Sequence, residues 1–391
     1  MIGNMLIAHG GGPTPVINSS LLGAVIEAKK YTSIKNIYGA RFGVEGILKD
    51  KLIDFGSISN TTLAKLSVTP ASALGSCRRK LEPDDYPYVL DYFKKHNIRY
   101  FFYNGGNDSM DTCSKIHTLA SESNYELFCI GIPKTIDNDL AETDHSPGFG
   151  SAARYAALSA LELAMDAAAL PIHVVVLEIM GRNAGWLTAA SALFARSMPC
   201  ETLVYLPEQA LKRQSFLSHV ESAWRKNRGL LVLISEGVKD ENAVLYGNTG
   251  LKDGFGHVIA GGAAQSVADL IIKELKIKSR AEKPGLLGRV NMACVSPIDR
   301  EEAFQAGVFA VKGAAEGKSG FMVAIEAERK PCYKSRMIFS PLEKVANVEK
   351  KFPDAWLPGE GQAPAREFSD YCLPIMDMSA PEYAYLGGIF D

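Results

Sequence analysis

The sequence has little of several things that would place it at once. No apolar stretch approaches the ~20 residues that a helix needs to span a bilayer, so no membrane contact is expected. Runs of Lys and Arg are short and the formal net charge is −2. Tracts such as IIKELKIKSR (271–280) read as the solvated face of a helix, which leaves no phosphate-tracking stripe for a nucleic acid. The seven cysteines (Cys77, Cys113, Cys129, Cys200, Cys294, Cys332, Cys372) form no C-x-x-C pair, and none stands beside His at zinc spacing. That pattern fits reduced thiols in the cytoplasm and argues against a structural metal. The opening MIGNMLIAHGGG has no basic segment ahead of an apolar one, so no export signal is expected. Neither G-x-x-x-x-G-K-[ST] nor G-x-G-x-x-G occurs, and there is no internal repeat or low-complexity segment.

What is present is ordinary globular material: 391 residues, 47% hydrophobic and 22% charged, enough for two domains. Short β-rich runs alternate with helical patterns. Strands are predicted at 4–8, 98–104, 126–132, 172–179 and 229–234. Helices are predicted at about 18–30, from 105 through His117, at 148–168, 183–195 and 299–314. The alternation predicts an α/β fold with a mostly parallel sheet covered on both faces, and runs such as VVVLEI fit strands buried on both sides. The tail, 350–391, is rich in Pro and Gly and is expected to wrap the surface.

In such sheets ligands gather beyond the C-terminal strand ends, and the polar clusters of this chain lie there. Gly10, Gly11 and Gly12 follow the first strand. They read either as a loop whose N–H groups approach an anion, or as a tight strand-to-helix turn. NGGNDS (104–109) repeats the device, with Asp108 and Ser109 as helix caps or as partners of a Mg²⁺ ion beside a phosphate. PKTIDND (133–139) is the sharpest cluster. Asp137 and Asp139 stand two apart on a loop, where one can take a proton and the other bind a metal or a hydroxyl. Lys134 can hold a phosphate as a point charge; a plain Asp-Asn-Asp turn is the alternative. Arg78, Arg182 and Glu236 extend the set, each also open to reading as a surface ion pair or cap. His9 and His173 adjoin apolar strand sequence and read as core histidines. Together these residues suggest phosphoryl transfer, where positioning and charge neutralisation do most of the work.

The same residues resemble the phosphofructokinase-A family over nearly the whole chain. HGGGPTPVIN, LGSCR, GGNDS, PKTIDND, MGRNAGWL, SEG and LGR…SPIDREEA occur in family order, and PLEKVANVEKKFPDAWL is similar to the C-terminal segment of a bacterial pyrophosphate-using branch. The resemblance implies two Rossmann-like three-layer α/β/α domains with the active site in the cleft between them. Residues 1–147 with about 292–345 would form the larger donor domain for pyrophosphate and Mg²⁺. Residues 148–291 with about 346–391 would form the smaller sugar-binding domain, carrying the C-terminal extension.

It further implies that Lys134 and a buried Asp108 occupy two positions that are glycine in ATP-using members, filling the space of a nucleoside tail and leaving pyrophosphate as donor. The physics agrees, since Asp108 facing a nucleotide α-phosphate would be uncompensated like-charge repulsion. Carried over, Asp137 is the base for the sugar 1-hydroxyl. Asp139 orients that hydroxyl or Mg²⁺, Thr135 contacts the transferring group, and Gly11 and Arg78 bind pyrophosphate. Met180, Gly181, Arg182 and Glu236 line the sugar site. Asn107 stands where the common form has an Asp near Mg²⁺. The cations that grip the sugar 6-phosphate correspond to His173, Lys283 and Arg289, one of them supplied by a neighbouring subunit, so a homodimer or homotetramer is implied. One expected Arg is Met292, and a lost charged hydrogen bond costs ~1.5–3 kcal/mol. The implied acceptor is fructose 6-phosphate, a step of glycolysis. Sedoheptulose 7-phosphate, an unphosphorylated sugar or polyol, and a non-catalytic regulatory role are the other implied readings.

Overall fold

The computed structural model describes all residues except 198, 199, 227, 228, 253–257, 261, 380, 382 and 385–391. In chain order the strands are β1 (Gly3–His9), β2 (Ile34–Ala40), β3 (Leu52–Asp54), β4 (Ile98–Gly105), β5 (Phe128–Pro133), β6 (Val174–Ile179), β7 (Glu201–Tyr205), β8 (Leu230–Ser235), β9 (Asn248–Lys252), β10 (Val258–Ala260), β11 (Ser279–Glu282), β12 (Phe321–Glu328) and β13 (Lys334–Pro341). The chain divides into two units, Met1–Ala152 with Arg289–Lys350, and Ala153–Gly288 with Lys351–Asp391.

The first unit is built on a sheet of order β13-β12-β5-β4-β1-β2-β3. Its interior pairings are parallel, and β3 and β13 close the two edges antiparallel. Alternate side chains of β1 and β4 feed two separate cores. Leu6, Ala8, Phe101 and Tyr103 face one; Met5, Ile7, Tyr100 and Phe102 face the other. Burial on both faces explains why these strands read as continuous apolar runs. Register then positions the loops. His9 pairs with Asn104, and Gly105 with Pro133, so the chain leaves β1, β4 and β5 side by side into Gly10–Gly12, Gly106–Ser109 and Lys134–Asp139.

The second unit carries a parallel sheet of order β11-β6-β8-β7 and a small antiparallel pair, β9 and β10. Ile179 pairs with Ser235, which sets the MGR and SEG loops next to one another.

The tail differs from the expectation. It does not simply wrap the surface. Phe352, Phe368, Cys372, Ile375 and Met376 are buried, and the helix Arg366–Met376 packs its apolar face into the second unit. Phe368 meets Phe352 at 5.2 Å, Trp356 at 6.1 Å and Tyr371 at 6.1 Å between ring centroids, and Trp186 of the NAGWL motif at 6.3 Å. Pro and Gly at 358–364 shape the approach to this helix, while its aromatics supply the burial. Phe368→Ala is expected to cost roughly 3–5 kcal/mol, read as a lower midpoint in chemical unfolding followed by tryptophan fluorescence.

Candidate active site

In the first unit three loops converge. Gly11 has φ +74°, a left-handed conformation that suits glycine. Its N–H donates to the Cys77 carbonyl at 2.9 Å, and the Gly10 N–H to Asn104 O at 2.9 Å. Both groups are therefore spent inside the fold, which corrects the reading of these two N–H groups as anion donors. The loop is instead ringed by cations. Lys134 is 3% exposed, and its Nζ donates to Gly12 O at 2.5 Å. A Cβ placed on Gly12 would meet Arg289 Nη1 at 2.9 Å and Arg78 Nη2 at 3.9 Å; one on Gly11 would meet Lys134 Nζ at 3.4 Å.

Burial pulls the Lys134 ammonium down, Asp139 and Asp137 pull it back up, and Arg289 and Arg78 push it down again, leaving its pKa at about 8. His9, buried nearby, is held neutral with a pKa of about 3 by burial and by the Lys134 charge. Its Nδ1 meets Ser72 Oγ at 2.7 Å, as a core histidine should.

The loop bearing the two aspartates is tightly held. Thr135 Oγ1 accepts the Asp137 N–H at 3.1 Å. Asn138 adopts φ +56°, with its Oδ1 accepting the Ser146 N–H at 3.0 Å. Asp139 O accepts the Lys350 N–H at 2.8 Å, and Asp139 Oδ1 is buried with no hydrogen-bond partner among the described residues. Lys350 Nζ donates to Asn138 Oδ1 (3.3 Å), Thr143 O (3.2 Å) and Asp144 O (2.8 Å). Burial lowers Lys350 to about 7 against the pull of Asp144 and Asp139, while three acceptors match the three protons of an ammonium.

Behind the loop lies a buried network that sequence reasoning missed. His145 Nδ1 meets Asp144 Oδ1 at 2.8 Å and its Nε2 meets Glu302 Oε2 at 2.6 Å. Arg329 forks onto Asp144 at 2.8 and 2.6 Å, and the Tyr333 hydroxyl donates to Glu302 at 2.5 Å. Asp299, fully buried, accepts the Gly148 and Ser151 N–H groups at 2.7 and 2.9 Å, capping the start of the helix Phe149–Ala169. The His145–Glu302, Asp144–Arg329 and Asp299–Gly148 pairs lie more than 140 residues apart in sequence, so no local pattern marks them.

Two expected metal contacts move. The Asn107 side chain donates to Val345 O (3.2 Å) and Val348 O (2.6 Å) and accepts the Asn347 N–H (2.7 Å). It ties down a turn with both amide protons and one lone pair of its oxygen engaged. Asp108 is not buried: its side chain is 71% exposed and pairs with Lys80 at 2.9 Å, because the second position of the helix Asn107–Glu122 points outward. Among the described residues no group of three or more His, Cys, Asp and Glu side chains is arranged to cage a metal ion.

In the second unit, Met180, Gly181 and Arg182 follow β6 and Glu236 follows β8. The Gly181 N–H points at Glu236 Oε1 (3.5 Å), the Ser235 hydroxyl donates to Gly181 O, and the Glu236 N–H donates to Ile179 O (2.9 Å). The loops approach so closely that a Cβ on Gly237 would lie 1.7 Å from Arg182 O. Lys283 follows β11 at the same edge and pairs with the buried Glu178 carboxylate at 2.7 Å. His173 is not brought to this group. It precedes β6, and a six-residue strand puts ~20 Å between the ends. It is 3% exposed and its pKa is lowered by burial, with Arg280 adding to the effect, so it is a neutral ring in this chain. Arg289 belongs to the first unit, and Met292 packs there against Val16, Val295 and Ala303.

A family model described as Phosphofructokinase matches residues 4–314. The chain belongs to the phosphofructokinase family. A pyrophosphate–fructose 6-phosphate 1-phosphotransferase of Xanthomonas campestris is 39% identical, over 97% of this chain and 93% of its own. The solved structure of a pyrophosphate-dependent phosphofructokinase from Nitrosospira multiformis superposes with a TM-score of 0.88 at 36% identity, over 99% of this chain and 94% of that one. A sulfofructose kinase of Alkalicoccus urumqiensis is 35% identical, over 90% of this chain and 91% of its own. As a family member the chain has the phosphofructokinase fold.

The His145 network has a direct readout. Burial would lower the imidazole pKa, but Glu302 and Asp144 outweigh it and raise it to about 9. The folded value lies above the free one of ~6.5, so the stability His145 contributes is complete below pH 6.5 and is lost as pH rises through about 9. A histidine Cε1–H NMR titration, with the peak assigned by His145→Gln, is expected to show His145 still protonated at pH 7.5 and His9 neutral down to pH 5.

Proposed function

We propose that this protein transfers a phosphoryl group from pyrophosphate to the 1-hydroxyl of fructose 6-phosphate, reversibly, giving fructose 1,6-bisphosphate and orthophosphate. One observation carries the donor assignment. Three cations, Lys134, Arg78 and Arg289, surround Gly11 and Gly12 beside two aspartates whose carboxylates act on Lys134. A buried ammonium at that point crowds out a nucleoside tail but suits a bare diphosphate. With Asp108 turned outward, this exclusion rests on Lys134.

The first unit is then the donor side and the second the acceptor side. Asp137 accepts the proton of the attacking hydroxyl. Thr135 Oγ1, which already accepts the Asp137 N–H, keeps its own proton to donate to the transferring group. Asp139 offers a buried oxygen to the hydroxyl or the cation. Mg²⁺, when bound, would supply neutralisation of the phosphate charge. Asp139 would hold the ion with phosphate oxygens, in keeping with magnesium's usual set of one or two carboxylates plus phosphates; Asp108 is turned outward to Lys80 and Asn107 ties down its turn. Met180, Gly181, Arg182 and Glu236 meet the sugar hydroxyls. We assign a homo-oligomer in which the partner copy completes the grip on the acceptor's distal group, and a cytoplasmic location; among the described residues no helix is long and apolar enough to cross a membrane.

A second reading of the acceptor has a specific basis. Lys283 is paired with the buried Glu178 carboxylate, so it offers a distal group less positive charge than a phosphate dianion would favour. An acceptor with a singly charged group, such as the sulfonated sugar for which one relative is named, fits that environment.

A matrix of pyrophosphate and ATP against fructose 6-phosphate, sedoheptulose 7-phosphate, a sulfonated fructose and free fructose tests both readings. Orthophosphate release is expected with pyrophosphate alone; turnover with ATP at a comparable rate would refute the donor. Asp137→Asn is expected to lower kcat by roughly a hundred- to ten-thousandfold with pyrophosphate binding retained.

Lys134 also sets a pH dependence. Its ammonium is present below about pH 8, and the diphosphate favours the charged form. The KM for pyrophosphate is therefore expected to rise as pH climbs through 8, while Lys134→Arg, charged throughout, stays flat. A flat wild-type profile from pH 7 to 9.5 would remove Lys134 from donor binding.

A further inference from the structure

We propose that His9 and Asn18, both buried, are positioning residues that fix the segment 69–77 and so set where Arg78 meets the donor diphosphate; the proposal rests on the pyrophosphate reading above. The segment needs such help. It runs from the short turn Leu66–Val68 to Arg78 with no helix or strand of its own. Ala71 adopts φ +57°, a left-handed conformation that a residue with a Cβ keeps only where its surroundings enforce it.

Asn18 supplies that enforcement. It is the second residue of the helix Ile17–Ala28. Its Nδ2 donates to Thr69 O at 2.9 Å and to Ala71 O at 2.8 Å, and its Oδ1 accepts the Ala73 N–H at 2.9 Å. One amide thus clasps the chain before, at and after the left-handed residue. His9, at the end of β1, grips the next residue. The Ser72 hydroxyl has one proton, and it goes to Gly75 O at 2.7 Å. The 2.7 Å contact between Ser72 Oγ and His9 Nδ1 therefore has the ring as donor, which places the proton of the neutral imidazole on Nδ1. Beyond Gly75 the segment meets the glycine loop itself. Ser76 Oγ donates to Gly11 O at 2.6 Å, and the Gly11 N–H to Cys77 O at 2.9 Å. Arg78 comes next, its Nη2 3.9 Å from the point a Gly12 Cβ would occupy. Glycine loop and guanidinium are thereby held in one register by β1 and the helix that follows it. A shift of about 1 Å in that register is enough to spoil a charged hydrogen bond to a bound anion, so two residues that touch no substrate act through Arg78.

The test follows the affinity that Arg78 supplies. Inorganic pyrophosphate with Mg²⁺ is titrated calorimetrically into wild type, Arg78→Gln, Asn18→Ala, His9→Leu and His9→Asn, each checked for folding by its unfolding midpoint. Arg78→Gln is expected to weaken binding roughly ten- to a hundredfold, and Asn18→Ala and His9→Leu roughly three- to thirtyfold, a share of the same charged hydrogen bonds. His9→Asn, whose amide nitrogen lies as far along the side chain as Nδ1, keeps a donor for Ser72 and is expected to recover most of the loss. In the Arg78→Gln background Asn18→Ala and His9→Leu are expected to add less than about twofold, the non-additivity of residues that act through one group. The nitrogen-15 shifts of His9 are expected to mark Nδ1 as the protonated nitrogen. If Asn18→Ala does not fold, Ser72→Ala, which removes the His9 partner from within the segment, is expected to show the same loss and the same non-additivity. Wild-type affinity in the folded variants, or losses that add in full to that of Arg78→Gln, would overturn the proposal. A protonated Nε2, or no recovery in His9→Asn, would remove His9 from it. Wild-type affinity in Arg78→Gln would take Arg78 out of donor binding and this proposal with it, leaving the donor assignment standing. Wild type that takes up no pyrophosphate would refute the donor reading itself.

Discussion

The site of the first unit depends on one buried charge. Lys134 is 3% exposed, and burying an ammonium is costly unless it is paired and hydrogen-bonded. Here the Gly12 carbonyl gives the hydrogen bond and Asp137 and Asp139 give the counter-charge. That compensation links the glycine loop after β1 to the aspartate loop after β5 through a single side chain. It also dictates neighbouring choices. A histidine at position 9 is tolerated because it stays neutral; a second permanent cation there would have nothing to balance it.

A base that must meet a hydroxyl at hydrogen-bond distance needs a backbone that does not wander. The aspartate loop is fixed from three directions. Thr135 caps it from within, Asn138 locks its left-handed turn onto Ser146, and Lys350 pins it from the far end of the unit. The His145–Glu302–Asp144–Arg329 network holds the next segment to the helix Pro297–Ala315 and to β12 and its following turn. Each tie is polar and buried, so each costs desolvation, and each is satisfied. Such networks contribute less to net stability than to the choice of one conformation, which is what a catalytic carboxylate requires.

How much of this was legible follows from where the information lies. The strands β1, β4, β5, β6 and β8 were readable because burial on both faces leaves a continuous apolar run, and the site loops because functional side chains cluster just beyond those runs. Position 137 and its neighbours needed no partner to be noticed. Lys350 did: in EKK it looks like any solvated lysine, and only contact with residues some two hundred positions earlier reveals its role. His145 and Glu302 are silent for the same reason. Asn107 and Asp108 were misplaced because a helix start can turn its side chains toward a ligand, a neighbouring turn or water, and spacing does not choose among them. The tail was misread because Pro and Gly near 358–364 outweighed the apolar face of the helix Arg366–Met376, whose partner Trp186 lies in a distant motif.

The distribution of charge suggests how one fold serves different acceptors. In the first unit Lys134, Arg78 and Arg289 gather at the glycine loop. In the second, Lys283 is answered by Glu178 at 2.7 Å, and the sugar-side loops are held by backbone and hydroxyl hydrogen bonds. On the proposed assignment, affinity for a polyanionic donor resides in fixed charge, while the acceptor is recognised mainly through its hydroxyl pattern, by backbone groups and by Arg182 and Glu236. Discrimination at the distal end falls to a few side chains, and exchanging one cation there alters preference by ten- to a hundredfold at the ~1.5–3 kcal/mol of a charged hydrogen bond without touching the reacting centre. Relatives named for fructose 6-phosphate and for sulfofructose, both above 30% identity to this chain over nine-tenths of its length or more, are what such a division of labour would produce.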